Sequence, residues 1–207
     1  MIQRILVLFT VCVCLSSFEE DNDTISTTIS NTSENIEIDK LQTYLGQFEF
    51  CYQDNDTVRL SEYKLVDWKN EQELSFDSIN LVDIKSISFL VGVDSNEILN
   101  GAMEGDLDPG KGMFWTWQSG YINLKLEYRE EKKSKIFHIG GYSGIQNSVQ
   151  RLTFIIPDER TLRGISFNVN EFSEFVNSQN YSMVMSPGQK AISIAKHYTD
   201  FFNPVLE

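Results

Sequence analysis

The sequence of residues 113–128 is MFWTWQSGYINLKLEY, in which two apolar segments are joined by Ser119-Gly120. In the second segment, Ile122, Leu124 and Leu126 alternate with polar residues, so these three side chains are expected on one face of a strand. The Ser-Gly junction predicts a tight reversal between two antiparallel strands. This β-hairpin is the clearest local pattern in the chain, and it indicates a β fold.

Short alternating segments bounded by turn residues continue on both sides of this hairpin. They lie at residues 36–38, 48–52, 63–68, 84–93, 136–139, 149–156 and 164–169. The chain shows no regular alternation of strands with long helices. The sequence therefore predicts an all-β protein with an antiparallel β-sandwich.

The C-terminal part changes from a strand period to a helical period. Asn170 can cap a short helix that extends through Val176. Further along, Ser186-Pro187-Gly188-Gln189 has Ser at the N-cap, Pro at the first helical position and Gln at the third, a pattern typical of a helix start. Apolar residues then recur at helical spacing as far as Phe202. We expect one C-terminal helix that covers part of the sandwich.

The N-terminus has the pattern of an export signal. Arg4 precedes the apolar run Ile5–Leu15, which is too short to span a membrane, and two serines follow it. Residues 1–17 are therefore predicted to be a signal peptide, with lipidation at Cys12 or Cys14 as the alternative. Residues 18–35 are rich in Asp, Glu, Ser and Thr, which predicts a flexible acidic tether ahead of a folded domain at 36–207.

Composition narrows the classes of partner. The chain has 30 acidic and 17 basic residues and a net charge of −13, whereas a nucleic-acid binder needs a surplus of Lys and Arg. A cationic ligand suits this negative net charge better than an anionic one. After signal cleavage Cys51 would be the remaining cysteine, so no internal disulfide is expected. We expect an exported protein, periplasmic or on the cell surface, with no membrane-spanning segment after cleavage.

The histidines do not form a recognisable catalytic motif. The chain contains His138 and His197, and no HExxH, GxSxG, P-loop or GxGxxG pattern. His138 lies between Phe137 and Ile139 in an alternating segment, so it should point away from the face that they share. A single histidine provides neither a catalytic triad nor a closed metal site, and a purely structural role for His138 stays open. We therefore predict that the protein is not an enzyme.

Two further clusters could carry chemistry. Asp106 and Asp108, in a loop rich in glycine, place oxygen ligands at alternate positions, which suits calcium, although a solvated acidic loop has the same composition. Trp115 and Trp117 are expected on one face because the strand period is two residues. Core packing, a platform for a sugar and oxidative modification are all compatible with this tryptophan pair.

Four blocks in order along the chain together resemble the MbnP-like family, the periplasmic copper-binding proteins named for methanobactin. The resemblance is to the branch common in Bacteroidetes and covers roughly residues 36–203. The blocks are Val91-Gly-Val-Asp94-Ser95, Gly105-Asp-Leu-Asp108-Pro109, Gly112-Met-Phe-Trp-Thr-Trp-Gln-Ser-Gly-Tyr121 and Phe137-His-Ile-Gly-Gly141.

The resemblance implies an exported β-sandwich linked to copper. In some relatives a tryptophan is oxidised to kynurenine by a di-haem partner, a MauG-like protein of the cytochrome c peroxidase type, and the product joins histidines in holding Cu(I). Calcium has also been associated with the fold. For this chain the resemblance implies a copper site at His138, Trp115 and Trp117, and a calcium site at Asp94, Asp106 and Asp108.

The chain departs from the family pattern at one place. Copper-linked relatives carry Asn-His after the Gly-Val block, and the corresponding residues are Asn100-Gly101. The first histidine is therefore missing, and Met103 or Met113 would have to compensate. The alternative function is a non-catalytic interaction module without a copper site. A glycosidase that uses Asp106 and Asp108 is a third hypothesis.

Overall fold

The computed structural model describes residues 24–30, 32–77, 79–101 and 104–207, except for the side chain of Asn100. The predicted signal peptide, the first part of the predicted tether (18–23) and Met103 lie outside the described residues. The described strands are β1 (Thr24–Ser30), β2 (Ile36–Tyr52), β3 (Thr57–Asp67), β4 (Glu73–Ser75), β5 (Ile84–Val91), β6 (Phe114–Thr116), β7 (Gly120–Glu130), β8 (Lys133–Gly140), β9 (Gln150–Ile155), β10 (Leu162–Asn168), β11 (Met183–Val184) and β12 (Phe202–Leu206). The described α-helices are α1 (Ser95–Asn100), α2 (Val169–Ser178), α3 (Gln189–Ala195) and α4 (Tyr198–Phe201).

The strands form two sheets with the main core between them. The smaller sheet has the order β12-β10-β1-β4, and the larger has the order β11-β8-β7-β2-β5-β9, with β3 paired to β2 and β6 paired to β7. Phe167 of β10, Phe48 of β2 and Phe137 of β8 belong to one buried cluster that both sheets share. The all-β prediction is confirmed. Two pairings, β1 with β10 and β8 with β11, are parallel, so the pairing is mixed.

Strand β1 corrects the interpretation of residues 18–35 as a flexible tether. Residues 24–30 pair with β10 on one side and with β4 on the other. The side chains of Ile25 and Thr27 are fully buried, and the Thr27 hydroxyl donates to the Gln72 carbonyl at 2.9 Å. The composition of this segment is polar, but the alternation of Ile25, Thr27 and Ile29 with polar neighbours lets it occupy the centre of a sheet.

The C-terminal segment differs in detail from the single helix that its periodicity predicts. Helix α3 begins at Gln189 after Gly188, so Ser186 is not its cap, and the helical segment breaks before α4. Phe202 opens strand β12, which pairs with β10 at the edge of the smaller sheet and includes Pro204. An edge strand tolerates proline because one side of its backbone has no partner strand to donate to. The prediction of a helical element that covers the sandwich is confirmed.

A β-bulge at Asn123 creates a second core. Ile122 pairs with Gly140 and Leu124 pairs with Ile139, so Asn123 is the extra residue in β7. Ile122 consequently packs in a second cluster with Tyr44, Tyr121 and Met113, while Leu124 packs in the main core. The predicted common face of Ile122, Leu124 and Leu126 is therefore wrong at Ile122, because the bulge shifts the alternation by one residue.

The segment between β5 and β7 covers this second cluster on the outer face of the larger sheet. Asn123 fixes the segment: its Oδ1 accepts from the Val93 amide at 3.1 Å, and its Nδ2 donates to the Ser148 hydroxyl at 3.0 Å. Gly92 lies directly against the Asn123 amide with a φ of +108°, a position that only glycine adopts readily. Among the described residues, no helix is long and apolar enough to cross a membrane.

Candidate functional site

His138 lies on the outer face of the larger sheet. It pairs with Lys125 of β7, and its neighbours Phe137 and Ile139 face the main core, as the alternation predicts. Its side chain is close to fully buried, with the residue 9% exposed. The Nε2 atom lies 2.8 Å from Oε1 of Glu127, which is two residues along β7 from Lys125.

The surroundings of His138 favour the neutral imidazole. Burial lowers the pKa of His138, and the hydrogen bond with Glu127 opposes that effect without reversing it. Lys125, whose Nζ donates to the Gly112 carbonyl at 3.0 Å, lowers it further. If Nε2 carries the proton and donates to Glu127, Nδ1 has a free lone pair. That is the usual arrangement of a ligating histidine, in which a carboxylate orients the ring from the other side.

Trp115 lies on the same face as His138. Its indole rests on the backbone of Gly140, where an added Cβ would lie 2.7 Å from Cζ3 of the ring. Gly140 and His138 are two residues apart on β8, and the extra residue of the bulge is on β7, so the two β8 positions share a face. Glycine at position 140 is therefore required for the indole to lie against the sheet, on the face that carries His138.

Trp117 lies elsewhere. Strand β6 ends at Thr116, and Trp117 is in the turn that follows, 58% exposed, with its ring packed edge-on against Phe114 at 5.8 Å. The structure thus places Trp115 and His138 on the same face of the larger sheet, whereas Trp117 lies in an exposed turn. The expected common face of the two indoles depends on a strand that continues through residue 117, and the turn ends that strand.

The methionines predicted to compensate for the missing histidine were Met113 and Met103. Met113 is fully buried in the second core, and Met103 lies outside the described residues. His197 is not near this face either, because its ring stacks on Phe175 of α2 at 4.1 Å and its Nδ1 lies 2.9 Å from the Ser193 carbonyl.

Asp94 acts as a helix cap. Its Oδ1 accepts from the backbone amides of Asn96 and Glu97 at 2.9 and 3.2 Å, and its Oδ2 accepts from the Gln47 side chain at 2.5 Å. These bonds satisfy the exposed amides at the start of α1. Both carboxylate oxygens of Asp94 therefore have donors within the protein.

Asp106 and Asp108 also have donors within the protein. Asp106 Oδ2 accepts from the Leu65 amide at 3.0 Å on the free side of β3, and Oδ1 pairs with the Lys111 ammonium at 2.5 Å. Asp108 Oδ1 accepts from the Gly110 amide at 2.7 Å and caps a short 3-10 turn. In the described part of the chain, no group of three or more His, Cys, Asp or Glu side chains is placed to hold a metal ion. As arranged, the three aspartates do not fit a calcium site, which needs six to eight oxygen ligands.

The sequence model of the MbnP family matches residues 15–202, which is most of the 207-residue chain. The chain belongs to the MbnP family. Members of the MbnP family are associated with export. Among solved structures, MbnP from Methylosinus trichosporium is similar, with a TM-score of 0.48, 11% identity and 67% of each chain covered. No curated protein matches the chain.

The sequence resemblance predicts that Gly101 stands where copper-linked relatives carry their first histidine. This glycine is the C-terminal cap of α1, with a left-handed φ of +70°. A histidine there would have to adopt a conformation that costs L residues roughly 1–2 kcal/mol. The site on the outer face of this MbnP chain therefore offers one imidazole, one orienting carboxylate and one indole.

Glu127 is the residue of this MbnP site that sequence reasoning missed. Alternation in β7 places Glu127 on the outer face with Lys125, and that much is visible in the sequence. Its contact with His138 is diagonal across two strands, so it depends on the register of β7 against β8. An imidazole is a ligand that suits copper, but one imidazole does not complete the coordination of Cu(I).

Proposed function

We propose that this MbnP-family protein is an exported, non-catalytic binding protein for copper, periplasmic or on the cell surface, with its site centred on His138. The observation that supports the proposal most directly is the shared face of His138 and Trp115. The neutral imidazole is oriented by Glu127 at 2.8 Å, and the indole lies against Gly140 two residues away. Copper, when bound, is a redox-active cation that binds soft ligands.

The experiment compares two histidine variants in a Cu(I) competition titration with a chromophoric chelator under anaerobic conditions. His138→Gln removes the ligating nitrogen while an amide remains, and we expect Cu(I) binding to be lost. His197→Gln is the matched control, because His197 packs on Phe175 away from this face. Unchanged binding by His138→Gln would contradict the proposal.

The resemblance also implies a tryptophan that a di-haem, MauG-like partner oxidises, and we propose that Trp115 is this residue. Trp115 lies against Gly140 on the face that carries His138, whereas Trp117 is exposed in a turn. Intact-mass and peptide mass spectrometry of natively exported protein should find modification at Trp115 and none at Trp117. Trp115→Phe should abolish the mass change and Trp117→Phe should leave it. Modification found at Trp117 would contradict the assignment of the oxidised residue to Trp115.

A second candidate function is a non-catalytic interaction module without copper. Exposed apolar side chains support it: Trp117, Leu99 and Ile145 are all more than half exposed, and Tyr142 donates its hydroxyl to the Trp117 carbonyl at 3.0 Å. Such residues commonly mark protein interaction surfaces. Absence of Cu(I) binding by the unmodified protein would favour this candidate.

A further inference from the structure

Two connections leave the larger sheet at the same point. The segment between β5 and β7 (residues 92–119) begins where β5 ends, and the connection between β8 and β9 (residues 141–149) begins where β8 ends. Asn123 holds the two together, because its side chain accepts from the Val93 amide and donates to the Ser148 hydroxyl. Both connections therefore emerge in one region of the surface.

Direct contacts join the two connections around Trp117. The Tyr142 hydroxyl donates to the Trp117 carbonyl at 3.0 Å. A Cβ on Gly120 would lie 2.5 Å from Cδ1 of Tyr142 and 2.9 Å from Cδ1 of Ile98, so the side chains of Tyr142 and Ile98 meet over this glycine. Ile98 belongs to α1 and is followed there by Leu99. Helix α1 thus lies next to the turn that carries Trp117.

Large apolar side chains are exposed in both connections. Trp117 is 58% exposed, Leu99 is 77% exposed, and Ile145, three residues after Tyr142, is 83% exposed. We call Leu99, Trp117, Tyr142 and Ile145 the apolar patch. Single exposed apolar residues are common, but a group of them on adjoining loops is typical of an interaction surface.

Trp117 is held in place before any partner binds. The Ser119 amide donates to the Thr116 carbonyl at 3.2 Å and closes the turn, and the Phe114 ring packs edge-on against the indole at 5.8 Å. Ordering a side chain on binding costs free energy, and an indole that is already fixed avoids much of that cost. Tryptophan is also among the residues that contribute most to binding at protein interfaces.

The surroundings of the apolar patch are acidic. Residues 92–119 contain five acidic residues and one basic residue, Lys111, which pairs with Asp106. Residues 141–149 contain no charged residue. Glu97 lies in α1, two residues before Leu99. This charge favours a partner of opposite sign and disfavours a second copy of the chain, since each copy has a net charge of −13.

We propose that the apolar patch docks a protein whose own surface has an apolar centre rimmed by lysine and arginine. This inference rests on the second candidate function, the interaction module, and adds the chemistry of its partner; it does not depend on the copper site. Trp117 and Leu99 occupy the centre of the interface, and Glu97 contributes to its charged rim. A neutral glycan would stack on the indole but would make no use of the aliphatic side chains or of the charge.

The test places a photo-reactive amino acid at Gln118, an exposed neighbour of Trp117, in the full chain expressed in its native cells. The same amino acid at Ile155 is the matched control, because Ile155 is 68% exposed and pairs with Ser86 at the far end of β5. Mass spectrometry identifies the cross-linked molecule. The captured protein is then purified, and its binding to the unsubstituted chain and to the variants Trp117→Ala, Leu99→Ser and Glu97→Gln is measured by surface plasmon resonance at two salt concentrations.

We expect a protein captured at Gln118 and not at Ile155. Trp117→Ala should weaken its binding about tenfold or more, and Leu99→Ser should also weaken it, with the melting temperatures of both variants retained. Glu97→Gln should slow association at low salt and reduce the dependence of the association rate on salt, because charges on the rim act mainly on the encounter of the two proteins.

Other outcomes separate this inference from the function on which it rests. Capture at Ile155 alone, or equally at both positions, would overturn the inference and leave an interaction module standing. A second copy or a glycan captured at Gln118 would overturn it as well, as would a protein whose binding responds neither to salt nor to Glu97→Gln. No capture at either position would overturn both the inference and the interaction module.

Discussion

Glu130 shows how a single carboxylate fastens a helix to the sheet. At the end of β7, its Oε1 accepts from the Ser173 hydroxyl at 2.7 Å and its Oε2 accepts from the Asn177 side chain at 3.0 Å. Burial alone would raise the pKa of Glu130, but these two hydrogen bonds and the nearby Lys135 lower it below its ordinary value of 4.5. The ionised form of Glu130 therefore helps to hold α2 against the β7–β8 hairpin.

The lowered pKa predicts a pH dependence of stability. Above pH 4.5 the carboxylate is ionised in both the folded and the unfolded chain, so its stabilising effect is fully present. As the pH falls below 4.5, the unfolded chain takes up the proton first, and the stabilisation is lost through the lower pKa of the folded state. Glu130→Gln should thus show a smaller loss of unfolding free energy in acid than the unsubstituted protein.

Urea unfolding at a series of pH values between neutral and strongly acid measures this difference. Glu174→Gln is the control, because Glu174 is an exposed residue of the same helix. If both variants follow the same pH profile, the hydrogen bonds from Ser173 and Asn177 do not stabilise the ionised carboxylate.

At the scale of elements, the segment between β5 and β7 is held by its acidic side chains. Asp94 caps α1. Asp106 accepts a hydrogen bond from the Leu65 amide on the free side of β3, and so satisfies a donor that an edge strand would leave without a partner strand. Tyr44 donates its hydroxyl to the Asp106 carbonyl at 3.0 Å. Asp106, which suggested calcium from its spacing with Asp108, and Asp94, which the resemblance added to that site, thus accept hydrogen bonds from backbone amides.

The cap assignment makes a prediction that separates it from metal binding. Asp94→Ala should destabilise the protein by about 1 kcal/mol through the lost cap, whereas Asp94→Asn should be nearly neutral, because asparagine also caps helices. Thermal unfolding with and without calcium measures both effects. If calcium raises the melting temperature and Asp94→Asn removes that increase, Asp94 is a calcium ligand and the cap assignment is insufficient.

At the scale of the whole molecule, β1 links the N-terminal segment to the C-terminal half of the chain. It pairs in parallel with β10 over residues 26–30, and the Ser26 hydroxyl donates to the Arg163 carbonyl at 3.0 Å. Trp68 then joins the two sheets: its Nε1 donates to the Thr43 hydroxyl at 2.9 Å, and its ring packs against Phe202. The smaller sheet depends on β1 because β1 is an internal strand of that sheet.

Truncation tests this role of β1. A chain that begins at residue 32 should lose several degrees of melting temperature relative to one that begins at Thr24, because burial of Ile25 alone contributes about 1.5–3 kcal/mol. Differential scanning calorimetry of the two chains measures the difference. Equal melting temperatures would show that the segment behaves as the tether that its composition suggests.

Some features of the fold and site followed from local pattern. Alternation in residues 36–38, 48–52, 122–126 and 136–139 indicated strands, placed His138 opposite the core and favoured an all-β protein, since burial of one face requires a period of two. The blocks around Trp115 and His138 carried the family resemblance. These features depend on near neighbours in the chain, which the sequence displays directly.

The tertiary structure alone decided the contacts that depend on the register of strand pairing. The bulge at Asn123, the diagonal contact of Glu127 with His138 and the pairing of β1 each join residues distant in sequence. A shift of one residue in any of these pairings would move the side chains to the other face, and no local pattern fixes that register. The sequence thus determined which residues could serve the proposed copper site, and the packing of distant strands determined which of them share a face.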